Sequence, residues 1–408
     1  MMKLPKRLNR IAAHTALAAL SLPLSAMWIA PAQAQSRYAM TTLKAPTLGK
    51  TDSNLFMDAQ NRVLGFAGYF KSAGFALDPS GSGRVVWVTS YNSYLSSWPA
   101  STAASVTSTK LFTTIFQTLP IDDVSPDGSK LLVKQTNYQP SVYDTASKLV
   151  VANPGGGLQT PPLGQRSSAN VVNNQGWSAG FAEFTRTVNG ETLFRYQAMR
   201  WRLSQGETLS TDSTRFLGSY AAAINSLGEV AGEVDTDVDK RLFTHAAVWD
   251  VNGVLRVLDE TPGHLTRAAA IADNGTVLVE RAVVSADSPG TLGLELHAPG
   301  QITVLAPPVP GATFTVAHPR SLSADGSTVV GAWARPPAPG QGPVFRAFIH
   351  KQGLTQDLTD LAKAKGVKLP TGAYFNGAYS VNKQGAILAS YVDAKGLNPV
   401  QVRLTPVP

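Results

Sequence analysis

The densest run of potential ligand atoms in this chain is Asp235-Thr236-Asp237-Val238-Asp239. Aspartates at alternate positions can present oxygen ligands to Ca²⁺, as in D-x-D-x-D loops. Lys240, however, stands where such a loop needs glycine, and Ala246 occupies the position of the closing glutamate. Lys240 and Arg241 also supply counter-charges, so a solvated acidic loop is the expected reading. The sequence leaves open whether Asp235, Asp237 and Asp239 hold Ca²⁺, and no metal ligand is assigned.

Other reactive residue types fall short of a recognisable pattern. His245, His264, His297, His318 and His350 show neither i, i+4 nor H-x-H spacing, so a metal triad would have to assemble from distant segments. His245, His297 and His350 are expected to serve packing or turns. Asp127-Gly128-Ser129 and Asp325-Gly326-Ser327-Thr328 resemble fragments of sialidase Asp boxes, but Asp-Gly is also good hairpin chemistry, and the turn reading is preferred. Gly155-Gly156-Gly157 lacks the following Lys-Ser/Thr of a phosphate loop, and no G-x-S-x-G elbow occurs. Absence of cysteine excludes disulfides, thiolate metal sites and a cysteine nucleophile. No catalytic, cofactor-binding or metal-binding residue is therefore assigned, and no cofactor is expected. Tyr91, Tyr94 and Trp98 are candidates for stacking on sugar rings, whereas Trp87, Trp201 and Trp249 read as core.

The elements that must position these residues repeat. One phrase recurs at Phe56–Gly65, Asp123–Val133, Asn170–Gly180, Ala222–Gly232, Ala269–Val279, Ser321–Gly331 and Tyr379–Ala389. Its turn positions are Asn61, Gly128, Gly176, Gly228, Gly275, Gly326 and Gly385, which subtraction spaces at 67, 48, 52, 47, 51 and 59 residues. A period near fifty marks a repeat architecture. Each phrase leads small or apolar residues into a residue that tolerates positive φ and out into an apolar run: strand, turn, strand. Alanines 221–223 suggest a crowded innermost strand. A second hairpin follows, clearest at His245–Trp249 with Asn252-Gly253 and at Arg346–His350 with Gln352-Gly353. Two hairpins make four strands, which is one propeller blade.

The expected fold is therefore all-β, a seven-bladed β-propeller with four strands per blade. The chain ends after a third strand near Val400–Leu404, so Tyr38–Leu43 is expected to pair with the last blade and close the ring. An open solenoid is the alternative. Gln356–Gly366 carries helix formers, early aspartate and terminal glycine, and predicts a short surface helix.

Residues 1–34 read as a Sec signal peptide. Lys3, Lys6, Arg7 and Arg10 head an apolar stretch from Ile11 to Ala30, and Ala32 and Ala34 form an A-x-A cleavage site. Residues 35–408 are then one propeller domain, secreted or periplasmic, with no further run of spanning length. Cleavage lowers the formal charge from +8 to 8 − 4 = +4, and no Lys/Arg block tracks a phosphate backbone. Nucleic acid is not an expected partner, and a monomer is.

The mature chain resembles the HAF-repeat family of extracellular proteins. The likeness rests on the opening Tyr38–Gly65, on Ala222–Gly232 with His245–Trp249, on Ser321–Gly331 with Arg346–His350, and on Asp357-Leu358-Thr359-Asp360-Leu361. His245-Ala246-Ala247 and Arg346-Ala347-Phe348 each differ at one residue from the family's His-Ala-Phe. The resemblance implies a secreted, propeller-like bacterial repeat protein and supplies no catalytic residues. The expected function is a non-enzymatic scaffold that binds a glycan or surface protein. The alternatives are an extracellular polysaccharide hydrolase or lyase, and a structural envelope component.

Overall fold

The computed structural model describes residues 37–407 except 44–49, 78–82, 99–106, 115–120, 135–139, 148, 155–166, 189–190, 239–240, 284–291, 316–319 and 336–341. The signal peptide, His318, Asp239, Lys240 and Gly155-Gly156-Gly157 lie outside the described residues. Trp87, Tyr91, Tyr94 and Trp98 fall on a strand described by its backbone alone.

The chain folds as an all-β propeller with four-stranded blades. Six antiparallel sheets follow in chain order over residues 50–114, 121–152, 167–208, 218–257, 264–305 and 313–357, numbered here as sheets 1 to 6. Each runs as a simple meander. Sheet 7 joins Tyr374–Val381, Ile387–Val392 and Val400–Val407, with Arg37–Thr42 as its fourth strand. That strand pairs antiparallel from Arg37 opposite Val407 to Thr42 opposite Val402. Sheets 2 to 7 are described with most of their side chains, sheet 1 chiefly by its backbone.

All seven turn positions have positive φ, from 62° at Asn61 to 85° at Gly228. In sheet 4, Gly228 N–H donates to the Asn225 carbonyl and Asn225 N–H to the Glu229 carbonyl. This is a type I turn followed by a left-handed residue, a standard way to join antiparallel strands. The Asn225 side chain adds to it: its Oδ1 accepts from Leu227 N (3.0 Å) and Glu229 N (2.9 Å). Asn173 and Asn382 repeat the arrangement in sheets 3 and 7.

Just upstream of the turns, the first strands carry a β-bulge. The register shifts between Ala169 and Val171, Ala221 and Ala223, and Ala268 and Ala270. Such a bulge pushes backbone carbonyls out of line. A Cβ on Gly180 or Gly232 would sit 1.9 Å from the carbonyl oxygen of Ser168 or Tyr220. The glycine that ends the phrase is thus a seat for the neighbouring strand's bulge.

Apolar clusters lie between successive sheets. Ala179, Ala198, Ala221, Val230, Val234, Ala247 and Trp249 pack sheet 3 on sheet 4. Ala223, Ala231, Ala246, Ala268, Val277 and Val279 pack sheet 4 on sheet 5. Leu55, Met57, Val63, Ala386 and Leu388 pack sheet 1 on sheet 7. The abundance of alanine fits the crowding expected of strands close to the axis, and Trp201 and Trp249 are fully buried, as expected.

Polar contacts follow the same sequence. Ala59 N donates to Pro126 O (2.7 Å), Asp127 N to Asn174 Oδ1 (3.0 Å) and Asn173 Nδ2 to Asn225 O (3.0 Å). Asn225 Nδ2 donates to Ala272 O (3.1 Å), Asp273 N to Ala324 O (2.8 Å) and Val381 N to Arg320 O (3.1 Å). Asn382 Nδ2 then donates to Asp58 O (3.0 Å) in sheet 1.

Two expectations need correction. Asp235 and Asp237 lie in the strand Val230–Val238, with Asp235 opposite Thr244 and Asp237 opposite Leu242, so they are not in a loop. Strand pairing of Arg241–Trp249 extends the hairpin as far as Val238. The helix spans Leu358–Ala364, shorter than predicted, because Gln356 and Asp357 belong to the edge strand Leu354–Asp357. Asp357 caps it by accepting from Thr359 N (2.8 Å) and Asp360 N (3.2 Å) while pairing with Arg346.

Replacing Gly232 by alanine forces the Tyr220 carbonyl to move, and is expected to destabilise by about 3 kcal/mol. Gly275 has positive φ but open space around its Cβ position, so alanine there should cost only about 1 kcal/mol. Urea denaturation midpoints of the two variants check the difference, and equal shifts would remove the bulge-seat explanation.

Candidate functional site

Sheets 3, 4 and 5 carry a cluster of aromatic and ionisable side chains towards the strand ends remote from the turns. Phe181 stacks on Tyr220 (centroids 5.3 Å apart, planes at 25°), and Tyr196 meets both rings edge-on at 4.7 and 6.1 Å. Asn170 Nδ2 donates to the Tyr220 hydroxyl at 2.7 Å. Tyr196 remains 45% exposed.

Glu233 lies directly opposite Tyr220 in the strand register, so both side chains leave the same face of sheet 4. Burial, with Asp235 and Glu280 nearby, pushes the Glu233 carboxyl up to about 7, although Arg267 opposes the shift. Burial also raises the Asp235 carboxyl, against the pull of Arg195 and His245. Arg267 is engaged by Glu280. Neither the Glu233 nor the Asp235 side chain makes a hydrogen bond or ion pair among the described residues. Gly218 makes room for Asp235, because a Cβ there would lie 3.0 Å from Asp235 Oδ2.

At neutral pH, then, Glu233 exists partly as the acid and can donate or accept a hydrogen bond. Asp235, two residues along the strand, brings a second carboxylate to the cluster.

The histidines proposed as packing residues are buried at His245, His297 and His350. His245 is held between Thr236 Oγ1 (2.9 Å) and the Asp259 carbonyl (3.1 Å), and His297 contacts Glu295 at 2.8 Å. His264 pairs with Asp259 at 2.8 Å. They form no common metal site, and among the described residues no group of three or more potential ligands converges on an ion position. Asp127 and Asp325 cap their turns by accepting from Ser129 N and Ser327 N, which is the turn role expected of them.

The Phe181, Tyr196, Tyr220 and Glu233 group was not singled out from sequence. Its members sit 13 to 52 residues apart, on four strands of sheets 3 and 4. The available signal was Tyr-x-Ala-Ala and Gly-Glu-Val within the repeat, where Tyr220 and Glu233 stand at the positions held by Ser168 and Phe181 in sheet 3 and by Arg267 and Glu280 in sheet 5.

No family model matches the chain, and no curated protein matches it. Solved structures with similar architecture include an oligogalacturonate lyase in complex with manganese, at TM-score 0.44 and 13% identity, covering 90% of this chain and 98% of that one. Another is the β-propeller domain of the trilobed protease from Pyrococcus furiosus, at TM-score 0.41 and 12% identity, covering 80% and 100%. The Myceliophteria thermophila Cps50 propeller domain matches at TM-score 0.41 and 10% identity, covering 91% and 100%. Such likeness carries no activity or site residue to this chain.

The Glu233 proton has a measurable consequence. Its folded pKa near 7 exceeds its ordinary value of 4.5, so the folded state holds more proton than the unfolded state between those values. The stability due to that proton is complete below about pH 4.5, is lost as pH rises to 7, and changes little above. The loss should reach about 3 kcal/mol at most. A Glu233→Gln variant should lack this decline in urea titrations at pH 5 and pH 8. Comparing variant with wild type isolates the effect from His350, whose burial-lowered pKa has the opposite slope.

Proposed function

We propose that the seven sheets form one closed, seven-bladed ring, and that this ring is a secreted, non-enzymatic glycan-binding scaffold of the HAF-repeat type. Residues 1–34 would direct export. The observation that carries the binding reading is the part-exposed Tyr196 packed against Tyr220, whose strand partner is Glu233. Sugar rings present apolar C–H faces that stack on aromatics, and hydroxyls that need both donors and acceptors. A half-ionised carboxyl supplies both. Phe181 and Tyr220 hold Tyr196 in place, so little conformational entropy is lost on binding.

One observation favours a second reading, a polysaccharide hydrolase or lyase. An acid–base enzyme needs a carboxyl poised near the working pH next to another carboxylate, and Glu233 beside Asp235 meets that condition.

Glycan arrays followed by calorimetry on the exported protein test the first reading. Tyr196→Ala is expected to weaken binding about tenfold or more, equivalent to about 1.4 kcal/mol. Glu233→Gln, which keeps hydrogen-bonding capacity, should retain most of the affinity. An array with no bound glycan removes this reading in favour of a protein partner or a structural role. Release of new reducing ends that stops in Glu233→Gln would establish the enzyme instead. N-terminal sequencing of the exported protein should begin at Gln35.

A further inference from the structure

We propose, on the premise that the aromatic cluster binds a glycan, that the sugar bound there carries a free amino group, its ammonium held by the Asp235 carboxylate and the Tyr196 carbonyl. The ligand class is then an amino sugar without an N-acetyl group.

Two acceptor oxygens converge at Gly218. A Cβ on that glycine would lie 3.0 Å from Asp235 Oδ2 and 3.1 Å from the Tyr196 carbonyl oxygen, so both border one small volume. The Ala198 carbonyl accepts from Leu209 N on the side of its strand away from Ser178–Val188. Tyr196, two residues earlier, points its carbonyl the same way, past the end of the strand Gln205–Thr208, and that oxygen accepts no hydrogen bond among the described residues. Glu233 and Asp235 are part-exposed, and none of their carboxyl oxygens is among the buried atoms left without a partner, so solvent reaches them.

The charges around these oxygens point the same way. Arg195, Arg267 and Glu280 act on Glu233 and Asp235, and Glu183 stands opposite Tyr196 in the register. With every carboxyl ionised, two guanidinium groups face four carboxylates, 2 − 4 = −2, and Arg267 is already engaged by Glu280. His245, which also acts on Asp235, is held by Thr236 and the Asp259 carbonyl. An ammonium brings three donors and one positive charge to this acceptor-rich place. It is also attracted to the face of an aromatic ring within about 6 Å, which Tyr196 and Tyr220 supply. A neutral sugar satisfies an acceptor but leaves the charge unbalanced, and the carboxylate of an acidic sugar adds to the excess.

Calorimetry at pH 6 on the exported protein, with β-1,4-linked tetramers of glucosamine, N-acetylglucosamine and glucose as probes, tests the proposal, because the three differ only in the group at carbon 2. The glucosamine tetramer should bind about tenfold more tightly than the other two. Asp235→Asn should cancel that preference while the melting transition and the binding of neutral oligomers stay as in wild type. Salt provides a measurement free of any folding effect: in wild type, added salt should weaken the glucosamine complex and hardly touch the neutral ones. Tetralysine, an ammonium source without a sugar ring, should bind less tightly than the glucosamine tetramer. The proposal is overturned if the amine confers no preference, if the preference survives in folded Asp235→Asn or ignores salt, or if tetralysine binds better. Tyr196-dependent binding of a neutral oligomer without amine preference would leave the glycan reading standing and remove this one alone. Binding of tetralysine with no oligomer bound would remove both.

Discussion

The contact on which the rest depends is the hydrogen bond from one turn to the turn of the next sheet. A four-stranded sheet of this kind is apolar on both faces and cannot bury them alone, so it needs a neighbour on each side. Apolar packing supplies attraction without direction. The turns supply the direction. Asn225 shows how one side chain does this: its oxygen closes its own turn, and its amide nitrogen reaches Ala272 O in the following sheet. Each such bond contributes about 1 kcal/mol net, and more is lost when a buried partner is left unpaired.

Amide chemistry explains which residues occupy that position. Asparagine has both an acceptor and a donor, so it can close a turn and bridge onward. Asp58 has only acceptors, and in sheet 1 the bridging donor comes from the preceding sheet, as Asn382 Nδ2. Arg62 pairs with the second carboxylate oxygen of Asp58. Sheets 2 and 6 use another solution, in which Ser125 and Ser323 close the turn with their hydroxyls while Asp127 and Asp325 accept from the next residues. Arg200, fully buried, fastens sheet 3 to sheet 4 by donating to the carbonyls of Gly228, Asp250 and Val251.

These dependencies set what could be read from the chain. The turns were legible because positive φ restricts residue choice locally, and Asn61 and the six glycines stand at the predicted positions. The strands around them were legible from apolar runs. The sideways reach of Asn173, Asn225 and Asn382 was not, since a bond between residues 47 to 324 apart leaves no local pattern. The acidic run misled for a related reason. Asp-Thr-Asp-Val-Asp looks like a loop by composition, but the pairing of Val230–Val238 with Arg241–Trp249 overrides that preference. The aromatic cluster stayed hidden because its members meet only through register across sheets 3 and 4.

The propeller's two ends handle buried polarity differently, and the difference follows from strand geometry. At the turn end, turn and first-strand residues line a cavity of about 190 Å³, Ala59, Ala223 and Ala324 among them. A single arginine can therefore span the cavity from sheet 6 and bond to sheets 2 and 3 at once. Such a pair adds little to stability beyond what apolar groups of similar volume would give. Its directional bonds instead fix how sheets far apart in sequence sit relative to one another. At the other end sheets 3 and 4 hold the rings of Phe181 and Tyr220, and the Glu233 and Asp235 carboxyls make no hydrogen bond among the described residues. Glu233 can keep its proton near neutrality there because the surrounding rings displace water while the nearest arginine is already engaged by Glu280. The same repeated hairpin thus yields an end cross-braced by Arg320 and an end where Phe181, Tyr196 and Tyr220 pack together and Glu233 shares a face with Tyr220.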